Sequence, residues 1–224
     1  MTLGAPRTPG QPRAGATTFL AKISSVMLLI GVLASACASS AGPHSHHAAA
    51  TKQVHVAPVK ADGSPAAGFR TGRTSSNATC EPGSEAIGQA YRCFAGNFVY
   101  DPCWALKAAV PTVLCLPYPW SRSDVRLIAR APLSAIPNEG AVTEPWGLQL
   151  ASGQRCVLAQ GAHSVFDGKV IDYYCSSGLS LLRGLSRTSQ LWQAHSVITK
   201  GGKMTAGPTQ QITIAWFGRP DKFR

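Results

Sequence analysis

Cysteines set the first limit on what this chain can become. There are seven: Cys37 closes an apolar run, and Cys80, Cys93, Cys103, Cys115, Cys156 and Cys175 all follow it. Whether those six are reactive thiols or cross-links depends on the compartment, because disulfides persist outside the cytosol and are reduced within it.

The N-terminus points to export. Arg7, Arg13 and Lys22 precede "ISSVMLLIGVLASA", and no acid occurs before Asp62. A basic segment followed by a short apolar core is the layout of a secretory signal. The run falls short of the ~20 apolar residues that a membrane-spanning helix needs. Residues 1–36 therefore read as a cleaved signal peptide. The signal ends in "LASAC", with small residues at Ser35 and Ala36 directly before Cys37, which resembles the lipobox of bacterial lipoproteins. The resemblance implies a diacylglyceryl group on the Cys37 thiol and a cleavage that leaves Cys37 as the first residue. Ala34 stands where a lipobox usually has leucine, and Ala34-Ser35-Ala36 also fits the small-residue rule of ordinary signal peptidase. Both routes stay open. The position of Cys37 and the small polar stretch after it favour lipidation, and two acyl chains anchor stably at about 0.8 kcal/mol per buried methylene.

With Cys37 set aside, an even set of six remains in an exported chain, which is the signature of a disulfide framework. The preferred pairing joins neighbours: Cys80 with Cys93, Cys103 with Cys115, Cys156 with Cys175. The last is the firmest, because hairpin-like runs lie between its members. Crossed pairs such as Cys80 with Cys103, or Cys93 with Cys115, remain open. Each short loop contributes about 3 kcal/mol in the chain-entropy model. A nucleophilic Cys103 would need a base, and His163 or His195 could supply one. No cysteine-enzyme signature surrounds "DPCW", however, and a lone reactive thiol would leave an odd count. Cys103 reads as a cross-link, Pro102 as a turn residue and Trp104 as core.

Composition divides the chain into a signal (1–36), a lipidated N-terminus and flexible linker (37–79), and a cysteine-bearing domain (80–224) that holds all five tryptophans. The middle zone is rich in Ala, Ser, Gly, Pro and His without periodicity, and its apolar content is too small to offset ordering entropy. The domain reads as all-β: a single antiparallel β-sandwich or barrel-like unit stapled by up to three disulfides. "WGLQL" puts Trp146, Leu148 and Leu150 on one face, and "SGQ" turns into "RCVLA". "SVFDGKVIDYYC" carries Asp167-Gly168 between two apolar runs, a strong hairpin signal. "LWQAHSVI" and "ITIAWF" add two strands joined by the loop "KGGKMTAGP". "DVRLIAR" alternates Val125, Leu127 and Ala129 with Arg126, Ile128 and Arg130. "VPTVLCLPYPWS" has three prolines, so any strand there is short or at an edge, and "CWALKAAV" suits a helical turn. The expected core includes Trp146, Leu148, Val157, Tyr173, Trp192, Ile214 and Trp216.

The order "RCFAGN…DPCW…LC…PWS", then "PWGLQLASGQRC…DYYC…LW…IAWF", resembles that of uncharacterised exported proteins and lipoproteins of actinobacteria. The resemblance covers most of the chain after Cys80 and implies an envelope location; it implies no activity and transfers no functional residue.

Charge and motifs narrow the function classes. The chain carries +11: +3 from the signal, +3 from the linker, and +5 (14 basic against 9 acidic) after residue 79. These charges are dispersed and an exported chain is removed from the genome, so nucleic acid is not an expected partner. Anionic lipid or wall polymer suits a mildly basic envelope protein. "HSHH" gathers His44, His46 and His47 with His55 nearby, yet no cysteine or carboxylate completes a metal site, so no metal or cofactor is expected. Asn77 opens a glycosylation sequon, "NAT", which a bacterial source would leave inert. Phosphate-loop, dinucleotide-binding, zinc-protease and serine-hydrolase motifs are absent from the sequence. Two readings follow. The first is a non-enzymatic lipoprotein at the outer face of the cytoplasmic membrane, or secreted if Cys37 is not lipidated, whose β-domain binds an envelope protein, wall polymer or small ligand. The alternative is a small envelope hydrolase using Asp101, Asp167, Asp172, His163 or His195. A pocket in which an aspartate and a histidine converge would favour the hydrolase.

Overall fold

Strand follows strand because β-branched and aromatic residues recur at alternate positions between glycine-bearing turns. The computed structural model describes residues 50–136 and 144–219, which fall within one compact unit. The strands are β1 (Lys52–Val56), β2 (Arg70–Pro82), β3 (Tyr91–Ala95), β4 (Phe98–Ala105), β5 (Thr112–Cys115), β6 (Ser123–Ala129), β7 (Gly147–Leu150), β8 (Arg155–Leu158), β9 (Val165–Phe166), β10 (Lys169–Cys175), β11 (Leu179–Leu182), β12 (Trp192–Ala194), β13 (Ser196–Lys200), β14 (Lys203–Ala206) and β15 (Gln210–Gly218). A single 3-10 turn, Ser176–Gly178, is the only helical element among the described residues. The all-β, disulfide-stapled class read from sequence is therefore the class observed.

Two bodies of sheet pack face to face through barrel strands β4 and β5. Strands β2 to β6 close a five-stranded barrel, and a larger sheet runs β1-β15-β7-β8-β10-β11-β13-β14. Within the barrel lie Ala78, Cys93, Cys103, Val113, Cys115 and Leu127. The opposite faces of β4 and β5 turn Trp104 and Leu114 toward Trp146, Leu148, Leu150, Tyr173 and Ile212 of the larger sheet. The run "VLCL" is continuously apolar because β5 is buried on both faces, the pattern that double burial imposes. It is short, as three prolines suggest, yet it pairs on both sides, with β4 and β6.

Each disulfide joins residues directly opposite one another on adjacent antiparallel strands. Cys80 meets Cys93 across β2–β3, Cys103 meets Cys115 across β4–β5, and Cys156 meets Cys175 across β8–β10. Their Cα separations are 4.1, 4.0 and 3.9 Å, close to the narrow type of antiparallel pair. This is the nearest-neighbour set, and it fits an oxidising, extracytoplasmic compartment.

Several expectations are corrected. Residues 50–79 are not linker: β1 pairs parallel with β15, and β2 pairs parallel with β6 in the barrel. Composition misleads here because most β2 side chains are exposed; main-chain ladders hold the strand, and Thr51 clamps the entry by donating to the Ile212 carbonyl (2.6 Å) while accepting from the Trp192 amide (2.8 Å). Among the described residues these are the two parallel pairs of an otherwise antiparallel fold. "CWALKAAV" forms no helical turn, since β4 runs on to Ala105. Pro102 lies inside β4, after a cis Asp101–Pro102 bond, where the β3–β4 register shifts. "LWQAHSVI" is cut at His195 into β12, which pairs with β15, and β13, which pairs with β11. "KGGKMTAGP" is not all loop: Gly201-Gly202 makes a tight turn and β14 pairs back on β13. Ile214 is only half-buried because the β15–β7 register shifts between Ile212 and Ile214, so Ile212 and Ala215 face inward instead; a shift of one residue exchanges faces. The other expected core residues are buried, except Val157, which is half-buried.

Asp167-Gly168 is the two-residue hairpin loop expected, with φ of 50° and 70° between paired Phe166 and Lys169, as a type I′ turn requires.

Candidate functional site

The outer face of β7, β8 and β10 is the floor of a groove. Alternation along β8 sends Cys156 and Leu158 into the core and turns Arg155 and Val157 outward. Tyr174 lies directly opposite Val157 and therefore shares that outer face. Gly147 is also opposite Val157; having no side chain, it lets Pro119 and Trp120 pack down on the strand. Tyr118 stacks on Trp120 with centroids 5.5 Å apart and planes 13° from parallel, and Trp120 meets the Trp216 ring edge-on at 5.3 Å. Phe98 and Tyr100 of β4 and Arg73 of β2 line the far end.

Two contiguous recesses of about 360 and 610 Å³ share Tyr118, Val157 and Tyr174, each within the size range of ligand sites. Phe98, Tyr118 and Tyr174 are 60, 48 and 39 % exposed; they are the three large aromatic side chains exposed among the described residues, and all three line this groove. Aromatic surface left in water at one place marks an interaction site more than scattered apolar residues do. Two cations are seated on the rings. The Arg155 guanidinium lies 5.4 Å from the Trp120 centroid and 6.0 Å from that of Trp216. Arg73 lies 5.4 Å from the Phe98 centroid and donates to the Tyr100 hydroxyl.

A third recess, of about 400 Å³, lies at the other end of β10 and brings together His163, Asp172, Glu85, Glu144 and Arg183. His163 Nδ1 lies 3.1 Å from the Ile171 carbonyl, which can only accept, so this nitrogen carries the proton. His163 Nε2 lies 3.4 Å from Glu85, and Nδ1 is 3.6 Å from Asp172. Each carboxylate is already matched: Glu85 by Arg92 at 2.6 Å, Asp172 by Arg183 Nε at 3.1 and 3.0 Å, Glu144 by Arg187 at 2.9 Å.

Asp101 is buried behind this recess. Its carboxylate accepts from Ser84 Oγ and from the Glu85 amide at 2.9 Å, and burial pushes it up to about 6 despite these bonds. Of the groups named from sequence, then, His163 and Asp172 converge, and Asp101 reaches them only through Glu85. Asp167 tips the β9–β10 turn and His195 sits exposed at the β12–β13 corner, both away from the recess. His55 lies in β1 with its ring stacked on Phe217 at 5.5 Å. Cys37, His44, His46 and His47 lie outside the described residues. Trp104 is core, as expected, with its Nε1 donating to the Arg219 carbonyl. Asn77 is exposed at an irregular step of β2, with φ of 61°.

No motif in the sequence marks the groove. Its residues come from separate segments, and "PYPW" carries no mark that separates an exposed tyrosine from a buried one. Searches of protein families, curated proteins and solved structures found no match to this chain.

Proposed function

We propose that this chain is an envelope-tethered, non-enzymatic lipoprotein whose β-unit binds a cell-envelope partner through the aromatic–arginine groove. Export and lipidation at Cys37 rest on the N-terminal sequence, and the three disulfides suit that compartment. One observation carries the binding reading: every large aromatic side chain exposed among the described residues lines a single groove. Co-sedimentation with purified actinobacterial cell envelopes tests it. In the Cys37→Ser background, which carries no lipid, the chain is expected to sediment with envelopes, and adding Tyr118→Ala/Tyr174→Ala is expected to leave it in solution. Equal sedimentation of the two would overturn the assignment of the groove.

The convergence of His163 with Asp172 in a recess favours a second reading, a small hydrolase. It ranks below binding because every acid there has a guanidinium partner and the histidine faces carboxylates rather than a nucleophile, so no activated group is apparent. Release of soluble fragments from envelopes by the wild-type chain, abolished in His163→Ala, would reverse that order.

A further inference from the structure

The two arginines and the missing acids say what chemistry the groove accepts. Among the residues lining its two recesses there are Arg73 and Arg155 but no aspartate or glutamate. Neither guanidinium has a carboxylate partner among the described residues, whereas Arg92, Arg183 and Arg187 are all paired. Each is nonetheless held in place, Arg155 over Trp120 and Trp216 with its Nε 3.3 Å from Gln149, and Arg73 over Phe98 with a bond to Tyr100. A guanidinium fixed over an aromatic face keeps planar donors free for an anion and loses little freedom on engaging it.

The rest of the surface is flat and amphipathic. Tyr118 stacked on Trp120 presents an aromatic plane whose negative face attracts the polarised C–H bonds on one side of a pyranose ring. Gln154, Gln160 and Ser176 supply groups for hydroxyls along the same groove. Two recesses in line suit successive units of a polymer better than one compact molecule.

We infer that the groove takes an acidic glycan, with a sugar face stacked on the exposed side of Tyr118, which Trp120 backs, and carboxylate or phosphate groups held by Arg73 and Arg155. This inference rests on the binding reading above and narrows it to one chemical class. An acidic peptide would satisfy the arginines but has no flat saturated ring for the aromatic plane. Single-stranded nucleic acid would satisfy both, but the export signal removes it.

The test is titration of the exported full chain with oligogalacturonate, with a glycerol-phosphate wall polymer bearing sugars, with a neutral glucan of matched length, with polyglutamate and with oligodeoxythymidylate. One or both acidic glycans are expected to bind at least about tenfold more tightly than the neutral glucan, a factor that corresponds to 1.4 kcal/mol. Which of the two binds decides between carboxylate and phosphate. Arg155→Gln and Arg73→Gln, both at exposed positions, are expected to remove that preference and its salt dependence, while Tyr118→Ala weakens acidic and neutral glycans alike. Equal affinity for acidic and neutral glycans would overturn the inference, as would tighter binding of polyglutamate or of oligodeoxythymidylate. Failure to bind any glycan while envelopes still sediment the Cys37→Ser chain would overturn it and leave the binding reading standing; failure of both would remove the two together.

Discussion

A β-carbon at Gly147 would lie 2.5 Å from Cγ of Pro119, closer than any packed carbon can sit. The same atom would come within 3.1 Å of the Trp120 ring. The absence of a side chain at one position of β7 is thus what lets the aromatic wall of the groove rest on the sheet. Gly147→Ala is expected to cost about 1–3 kcal/mol by overpacking and to displace Trp120. Chemical denaturation measures the first effect, and a changed tryptophan emission maximum together with weakened envelope binding reports the second.

Asp101 makes stability depend on pH in an uncommon direction. Burial raises its folded value from 3.8 to about 6, so the folded state holds a proton that the unfolded state has lost across that interval. Stability is therefore greatest below this window, falls as pH rises through it and levels off above about 6, by an amount on the order of 3 kcal/mol. Asp101→Asn should remove this component. Denaturation midpoints of both proteins at pH 4 and pH 7 check it; a difference that is the same at both pH values would show that the carboxyl does not titrate there.

The staples should be closed and inert. Non-reduced, denatured protein treated with an alkylating reagent is expected to show no adduct at Cys80, Cys93, Cys103, Cys115, Cys156 or Cys175 by mass spectrometry. Replacing Cys156 and Cys175 together by alanine opens a link between residues 19 apart and should cost about 3 kcal/mol. Uptake of reagent at Cys103 without reduction would restore the case for a reactive thiol.

Anchoring has its own test at Cys37. Globomycin-type inhibition should accumulate the precursor, and in the Tyr118→Ala/Tyr174→Ala background, where the groove no longer holds envelope, Cys37→Ser should move the chain from the membrane fraction to the medium. Unchanged fractionation of that variant would show that no lipid holds it.

Local rules within the sequence carried the pairing of strands that are neighbours along the chain. Asp167-Gly168 can adopt positive φ at both positions and so closes its own hairpin; "WGLQL" alternates so that Trp146, Leu148 and Leu150 are buried together; nearest cysteines meet because they sit on strands joined by short connections. Period-2 alternation states which side chains share a face, but it does not state what that face will meet. Only the tertiary structure could decide that β1 lies along β15 and β2 along β6, because main-chain ladders between distant segments leave no compositional trace. The same holds for the groove. Arg73, Phe98, Tyr118, Arg155 and Tyr174 come from five separate segments, and their exposure follows from how barrel strands β4 and β5 pack against the larger sheet. Burial is a property of the assembled surface, so an aromatic residue that binds and one that packs can be written with the same letter.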